Sequence, residues 1–238
     1  RSLIVGHQDL GARQLLGNLR SNPRVVVLDS SRDGVEQMAA VLSQEHDVSA
    51  IHIVSHGSAS ELNLGTARLN AQSMQEGYLD ELTVIGQSLT ADGDILIYGC
   101  NFAEGDSGLQ AAMVLGGITG ADIAASTNAT GAADLGGDWE LEAHTASIES
   151  QTLLSRENAG DWNYLLAPPV NTLPADFASH QNDVLPLTGL SISYAGLPSD
   201  NITVTLSIAQ ISGTAVGTVT APAAHGVTVT TSGALSLV

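Results

Sequence analysis

Two side chains in this sequence are of the kind that can open a carbonyl bond, the imidazole of His56 and the thiol of Cys100. His56 closes the run Ala50-Ile-His-Ile-Val-Ser-His56 and precedes Gly57, while Cys100 closes Asp94-Ile-Leu-Ile-Tyr-Gly-Cys100. Each run is mostly apolar and β-prone, as expected of a strand buried in a parallel sheet. Cys100 is the only cysteine, so no internal disulfide can claim it. The thiolate is the reactive form, and a free thiol is mostly protonated at neutral pH. Cys100 therefore needs an imidazolium or a helix N-terminus beside it. Neighbouring strands lie about 4.8 Å apart. If the two runs are neighbours, His56 and Cys100 meet at the carboxyl edge, where open α/β sheets place their ligands. His56 would then act as general base or ion-pair partner and Cys100 as nucleophile, with the backbone N–H groups of Gly57 and Cys100 as oxyanion donors. Gly57 and Gly99 would leave room for a substrate backbone.

The elements that would position this pair alternate through residues 1–167. Leu3-Ile-Val5 and Arg24-Val-Val-Val-Leu28 read as strands, and apolar spacing predicts helices over Asp9–Leu19 and Val35–Leu42. Glu61–Leu64 and Ala67–Leu69 flank Gly65-Thr66 as a hairpin. Residues 71–89 and the stretch from Gly108 to Leu115 are expected to be helical, with a strand at Ala121–Ala125. Asp138-Trp-Glu-Leu-Glu142 alternates like an exposed strand. Strands separated by helices imply an α/β domain, a mostly parallel sheet with helices on both faces. Beyond Pro168-Pro169 the composition changes. Val184–Tyr194, Ile202–Ile208, Gly217–Thr220 and Gly226–Thr231 are β-rich, and the strict alternation of Ile202–Ile208 marks an antiparallel strand. Residues 168–238 thus form a second, small all-β segment, shorter than the roughly 100 residues of a complete immunoglobulin-like sandwich.

Composition narrows the function. The 238 residues carry 25 acids against 7 bases, a net charge of -18, and every base is arginine. Such a surface repels phosphate backbones, which argues against nucleic acid as a partner. Apolar runs are strand-length, so no transmembrane segment is expected. An acidic, lysine-free chain suits a secreted or cell-surface location. The chain opens without Met and closes within a β-rich run, as expected of a piece of a longer polypeptide. No Gly-x-Ser-x-Gly, phosphate loop or dinucleotide fingerprint is present, and the histidines lack metal-ligand spacing.

A hydrophobic strand ending in His-Gly, then a second ending in a small residue and Cys, resembles the caspase-like cysteine peptidases (caspase, legumain, gingipain, clostripain). The gap from His56 to Cys100 is close to the roughly 50 residues of caspases. The resemblance implies a caspase/flavodoxin-like sheet, a polypeptide substrate and no cofactor for catalysis. Many of these peptidases selective for basic residues place an acid two positions before the cysteine. Tyr98 stands there instead, so that selectivity does not carry over. Asp29, ending the second strand, is another position where relatives place a specificity residue. Residues 1–167 also resemble an uncharacterised domain near the N-termini of giant bacterial adhesins. The marks are Val-Val-Leu-Asp29, Asp33-Gly34, Ile-Val-Ser-His-Gly-Ser58, Gly-Asp-Ile-Leu-Ile-Tyr-Gly-Cys100, Ala-Ala-Ser-Thr127 and Gly-Gly-Asp-Trp139. The tail resembles the cadherin-like repeats that follow such domains. That implies further repeats of the same chain as partners and calcium for the β segment, with Asn171 as a candidate ligand.

Plainer explanations stand beside each of these. Most free cysteines are small buried hydrophobes. His52, inside its strand, reads as a packed core histidine. Asp29 suits a turn or cap, and turn chemistry accounts for Asp92-Gly-Asp94 and Asp134-Leu-Gly-Gly-Asp138, neither of which has the EF-hand pattern. Two functions follow as expectations. One is a cysteine endopeptidase that cleaves its own polypeptide or a neighbouring surface protein. The alternative is a catalytically inactive capping or interaction module.

Overall fold

The computed structural model of the chain describes residues 2–7, 23–154, 162–168, 170–172 and 191–193. The larger of two compact units runs from Arg1 to Asn171 and includes Ile192–Asp200. It is built on a six-stranded sheet. Its strands are β1 (Ser2–His7), β2 (Arg24–Leu28), β3 (Val48–Val54), β7 (Leu89–Tyr98), β8 (Asp122–Ala125) and β9 (Ala143–His144), in the order β2-β1-β3-β7-β8-β9. All neighbours are parallel except β8 and β9. Counting only the parallel strands, this is the 2-1-3-4-5 order of one common doubly wound fold. Between β3 and β7, β4 (His56–Ser58), β5 (Glu61–Leu64) and β6 (Ala67–Leu69) form a small antiparallel sheet, the last two being the expected hairpin. Gly65 turns it at φ +62°, within the left-handed region that favours glycine. Two short strands, β10 (Val170–Thr172) and β11 (Ser191–Ser193), make a separate two-stranded sheet.

Four helices are described: α1 (Gly34–Leu42), α2 (Ala71–Glu76), α3 (Leu79–Gln87) and α4 (Gly105–Thr119). The Asp33 carboxylate caps α1 by accepting from the N–H groups of Val35 and Glu36. Asn70 and Ser73 form a capping box on α2. The chain leaves α4 through Gly120, at φ +73°. Residues 71–89, expected as one helical stretch, divide into α2 and α3, with Leu89 already in β7.

β3 and β7 are buried on both faces, and their side chains alternate between two cores. Ile51, Ile53, Ile95 and Ile97 join Val35, Met38, Leu42, Met74, Leu82, Ile85 and Leu115 on the helix-covered face. Ala50, Val54, Leu96, Tyr98 and Cys100 face the other way, against Trp139, Leu141, Leu154, Trp162 and Leu166. Helices were expected on both faces. Among the described residues they lie on one, and the second face is covered by largely irregular chain from residues 129–154 and 162–166. The Asp9–Leu19 helix lies outside the described residues, as do the β-rich runs beyond Pro168-Pro169 apart from β10 and β11. Asp138–Glu142 forms no strand. Only Asp138 makes a ladder contact, with Thr130, although Trp139 and Leu141 do point inward. No helix of the described residues is long and apolar enough to cross a membrane.

His52 is a core histidine. It is 3% exposed, stacks on Tyr98 with ring centroids 6.0 Å apart, and lies 3.4 Å from the Tyr98 hydroxyl through Nδ1. Burial pushes its pKa down to about 4. Below the ordinary value near 6.5, the unfolded chain takes up a proton that the folded chain refuses until about pH 4. Stability is therefore lost as pH falls through that window, by up to about 3 kcal/mol from this group. Denaturant titrations of the wild type and His52→Gln at pH 7 and pH 4.5 should show the smaller acid loss in the variant.

Candidate functional site

The β3–β7 register pairs Val54 with Tyr98, and the Ser55 N–H continues the ladder to the Tyr98 carbonyl at 3.2 Å. Beyond it the chains diverge. Ser55 is buried, and its hydroxyl donates to the carbonyls of Asn63 and His56, which fastens the turn to β5. His56 and Gly57 then pair with Asn63 and Leu62. On the other chain, β7 ends at Tyr98 and Gly99-Cys100 leads into Asn101, which adopts φ +62°. Asparagine tolerates that left-handed conformation better than most residues. The Asn101 N–H donates to the Asn128 carbonyl at 2.7 Å.

The two turns touch backbone to backbone. A Cβ on Gly57 would stand 2.8 Å from the Gly99 carbonyl carbon and 3.0 Å from the Cys100 oxygen. The room expected for substrate at Gly57 is thus occupied by the partner turn. A Cβ on Gly99 would clash with the Leu62 Cδ2, at 2.5 Å, and meet main chain only at an ordinary 3.7 Å. Both glycines serve close approach of the strand ends.

His56 is half-buried, with its Nδ1 enclosed. Cys100 is 1% exposed and belongs to the second core. Its sulfur accepts from the Thr130 N–H at 3.2 Å and donates to the Thr130 carbonyl at 3.5 Å. Burial pushes the thiol pKa up, against the pull of backbone hydrogen bonds from Thr130, Cys100 and Leu166. The helix expected to stabilise the thiolate does not face it. α4 begins at Gly105 and packs into the helix-side core, whereas Cys100 points into the other. A helix terminus acts mainly within its own first turn, and the hydrogen bonds of the sulfur go to Thr130 instead.

The lid over the thiol is a backbone network. Gly131 bridges Leu165, the Ala132 N–H donates to the Tyr164 carbonyl, and the Leu166 N–H donates to the Thr130 carbonyl, both at 2.9 Å. Aromatic rings pin it from above. Trp139 lies 5.8 Å from Tyr98, Trp162 meets Trp139 edge-on at 5.1 Å, and Tyr164 meets Trp162 at 4.9 Å. Thr130 was not singled out from the sequence. It contacts sulfur through main-chain atoms from 30 residues away, and no side-chain pattern announces that.

The other expected site residues are placed as follows. Asp29 closes a turn, its Oδ1 accepting from the Ser31 N–H and hydroxyl, which hold its carboxyl below the usual range. Tyr98 is fully buried, its hydroxyl accepting from the Leu153 N–H at 2.8 Å. Asn171 lies in β10. Asp94 is not the turn residue expected of Asp92-Gly-Asp94. It sits inside β7, fully buried.

Gly57→Ala should cost about 1–3 kcal/mol in chemical denaturation, because its Cβ meets main chain. Gly99→Ala should cost less, since the Leu62 methyl can turn away. Iodoacetamide at pH 8 should modify Cys100 far more slowly in the native chain than in urea, as followed by intact mass. Equal rates would contradict the enclosed thiol.

Over residues 5–166 the sequence matches the model of a domain of unknown function, DUF4347. No curated protein and no solved structure matches the chain. The matched residues contain the six-stranded sheet except the first three residues of β1, both strand-end turns and the lid over Cys100. By this match, which spans well over half its length, the chain belongs to the DUF4347 family.

Proposed function

We propose that residues 5–166 are a caspase-like cysteine endopeptidase domain of a bacterial surface adhesin, with its His56–Cys100 pair held beneath a closed lid. The supporting observation is the β3–β7 register, which joins the His56 and Cys100 turns through Gly57 and Gly99 at the carboxyl edge. The 2-1-3-4-5 strand order agrees with this reading, because ligands of such sheets gather at that edge. The substrate is the domain's own polypeptide or a neighbouring surface protein. The tail beyond Pro168-Pro169 is a cadherin-like stalk repeat.

In the open state His56 takes the thiol proton and Cys100 Sγ adds to a peptide carbonyl, forming a carbon–sulfur bond. The carbonyl oxygen becomes an oxyanion, for which the N–H groups of Gly57 and Cys100 are the candidate donors. As the intermediate collapses, the carbon–nitrogen bond breaks and His56 returns the proton to the leaving amine. Water, deprotonated by His56, then releases the acyl group and regenerates the thiol. The chemistry draws on these two side chains alone. The closed state suppresses it, because an enclosed thiol with a raised pKa holds little thiolate at neutral pH.

The alternative, a catalytically inactive capping or interaction module, is favoured by the hydrogen bonds of the Cys100 sulfur to Thr130. Loosening the lid separates the two. Leu166→Ala removes a 1%-exposed anchor, at a cost of about 2–5 kcal/mol. On a mixed peptide library, Leu166→Ala should cleave faster than the wild type. The activity should vanish when Cys100→Ala or His56→Ala is added. Absence of cleavage from the loosened, still folded chain would leave the capping module as the function.

A further inference from the structure

We infer that Asp94, Asp122 and Glu149 form a calcium site at the end of the sheet opposite Cys100. One carboxylate oxygen from each lies within 4.8 Å of the others. Carboxylate oxygens are the hard donors that calcium takes, and its flexible geometry tolerates an unevenly exposed set better than the near-ideal octahedron that magnesium demands. Asp94 and Asp122 are register partners on β7 and β8. By strand alternation both belong to the face of Leu96 and Ala124, the second core. Glu149 reaches them from the chain that crosses this face.

Acidic side chains gathered at a surface need no ion, but Asp94 is not at the surface. It is fully buried. Its Oδ2 accepts from the Ser150 N–H at 2.9 Å, while its enclosed Oδ1 has no hydrogen-bond partner. An ionised carboxylate placed so, beside two more, is costly unless a cation neutralises it. The Arg24–Glu45 and Arg68–Glu61 ion pairs lie elsewhere. The donors are all hard oxygens of graded exposure, from buried Asp94 through half-buried Asp122 to exposed Glu149. Water can therefore complete the six to eight ligands that calcium takes.

The ion would fasten Glu149 and Ser150 to the sheet. Three residues later the Leu153 N–H binds the Tyr98 hydroxyl, and Leu154 enters the second core. Calcium would thus hold down the chain that leads into the second core. The site lies six residues, about 20 Å, down β7 from Cys100. It stands whether or not the thiol is catalytic.

The test uses the full 238-residue chain, stripped with chelator and titrated with calcium chloride by calorimetry in a magnesium background. The wild type should bind calcium and melt at a higher temperature with it. Glu149→Gln, an exposed change that leaves the core intact, should weaken binding by about tenfold or more. Asp122→Asn added to it should abolish both the heat and the thermal shift. No binding by the wild type would overturn the inference. Binding unchanged in the double variant but lost in Asn171→Ala would also overturn it, moving the ion to the β segment.

Discussion

The parallel pairing of β3 with β7 is the constraint on which the rest of the structure depends. Both strands are apolar on both faces, so they must lie inside the sheet with a core above and below. That burial fixes the register, because a slip of one residue would exchange the two cores. The same register carries His56 and Cys100 to one edge. The β7–β8 pairing seats Asp94 beside Asp122 further down.

Among the described residues, the second face of the sheet is covered without α-helices. Irregular chain has many unpaired main-chain groups, and burying them is costly unless they find partners. Here they pair with one another across residues 130–132 and 164–166, and Thr130 has the Cys100 sulfur as a further partner. Two tryptophans and two tyrosines supply apolar area that short loops could not. The thiol is enclosed because it sits under this lid, and its raised pKa follows from the enclosure.

Much of the fold was legible in the sequence where local physics governs it. The continuous apolar runs of β3 and β7, the periodicity of α1 after Asp33 and the Gly65 hairpin are all local signals. Asp138–Glu142 had the right alternation for a strand, and Trp139 and Leu141 do face inward. The edge of β8 is taken instead by Ala143–His144, so the alternating segment lacks a ladder. His56 and Cys100 were legible as residues ending strands. The Thr130 contact was not, since it is made by main-chain atoms that carry no residue identity. Asp94 was read as half of a turn motif, because its partnership with Asp122 depends on a strand register invisible from either segment alone.

The contact between Gly57 and the Gly99-Cys100 main chain has a bearing on how this family can diversify. Where side chains separate two functional groups, evolution adjusts their spacing by trading one side chain for another. Here nothing but backbone lies between the histidine turn and the cysteine turn. Their separation is therefore as invariant as the spacing of the sheet itself. Variation is left to the side chains of the lid, residues 130–132 and 164–166, which can drift while the two turns stay locked.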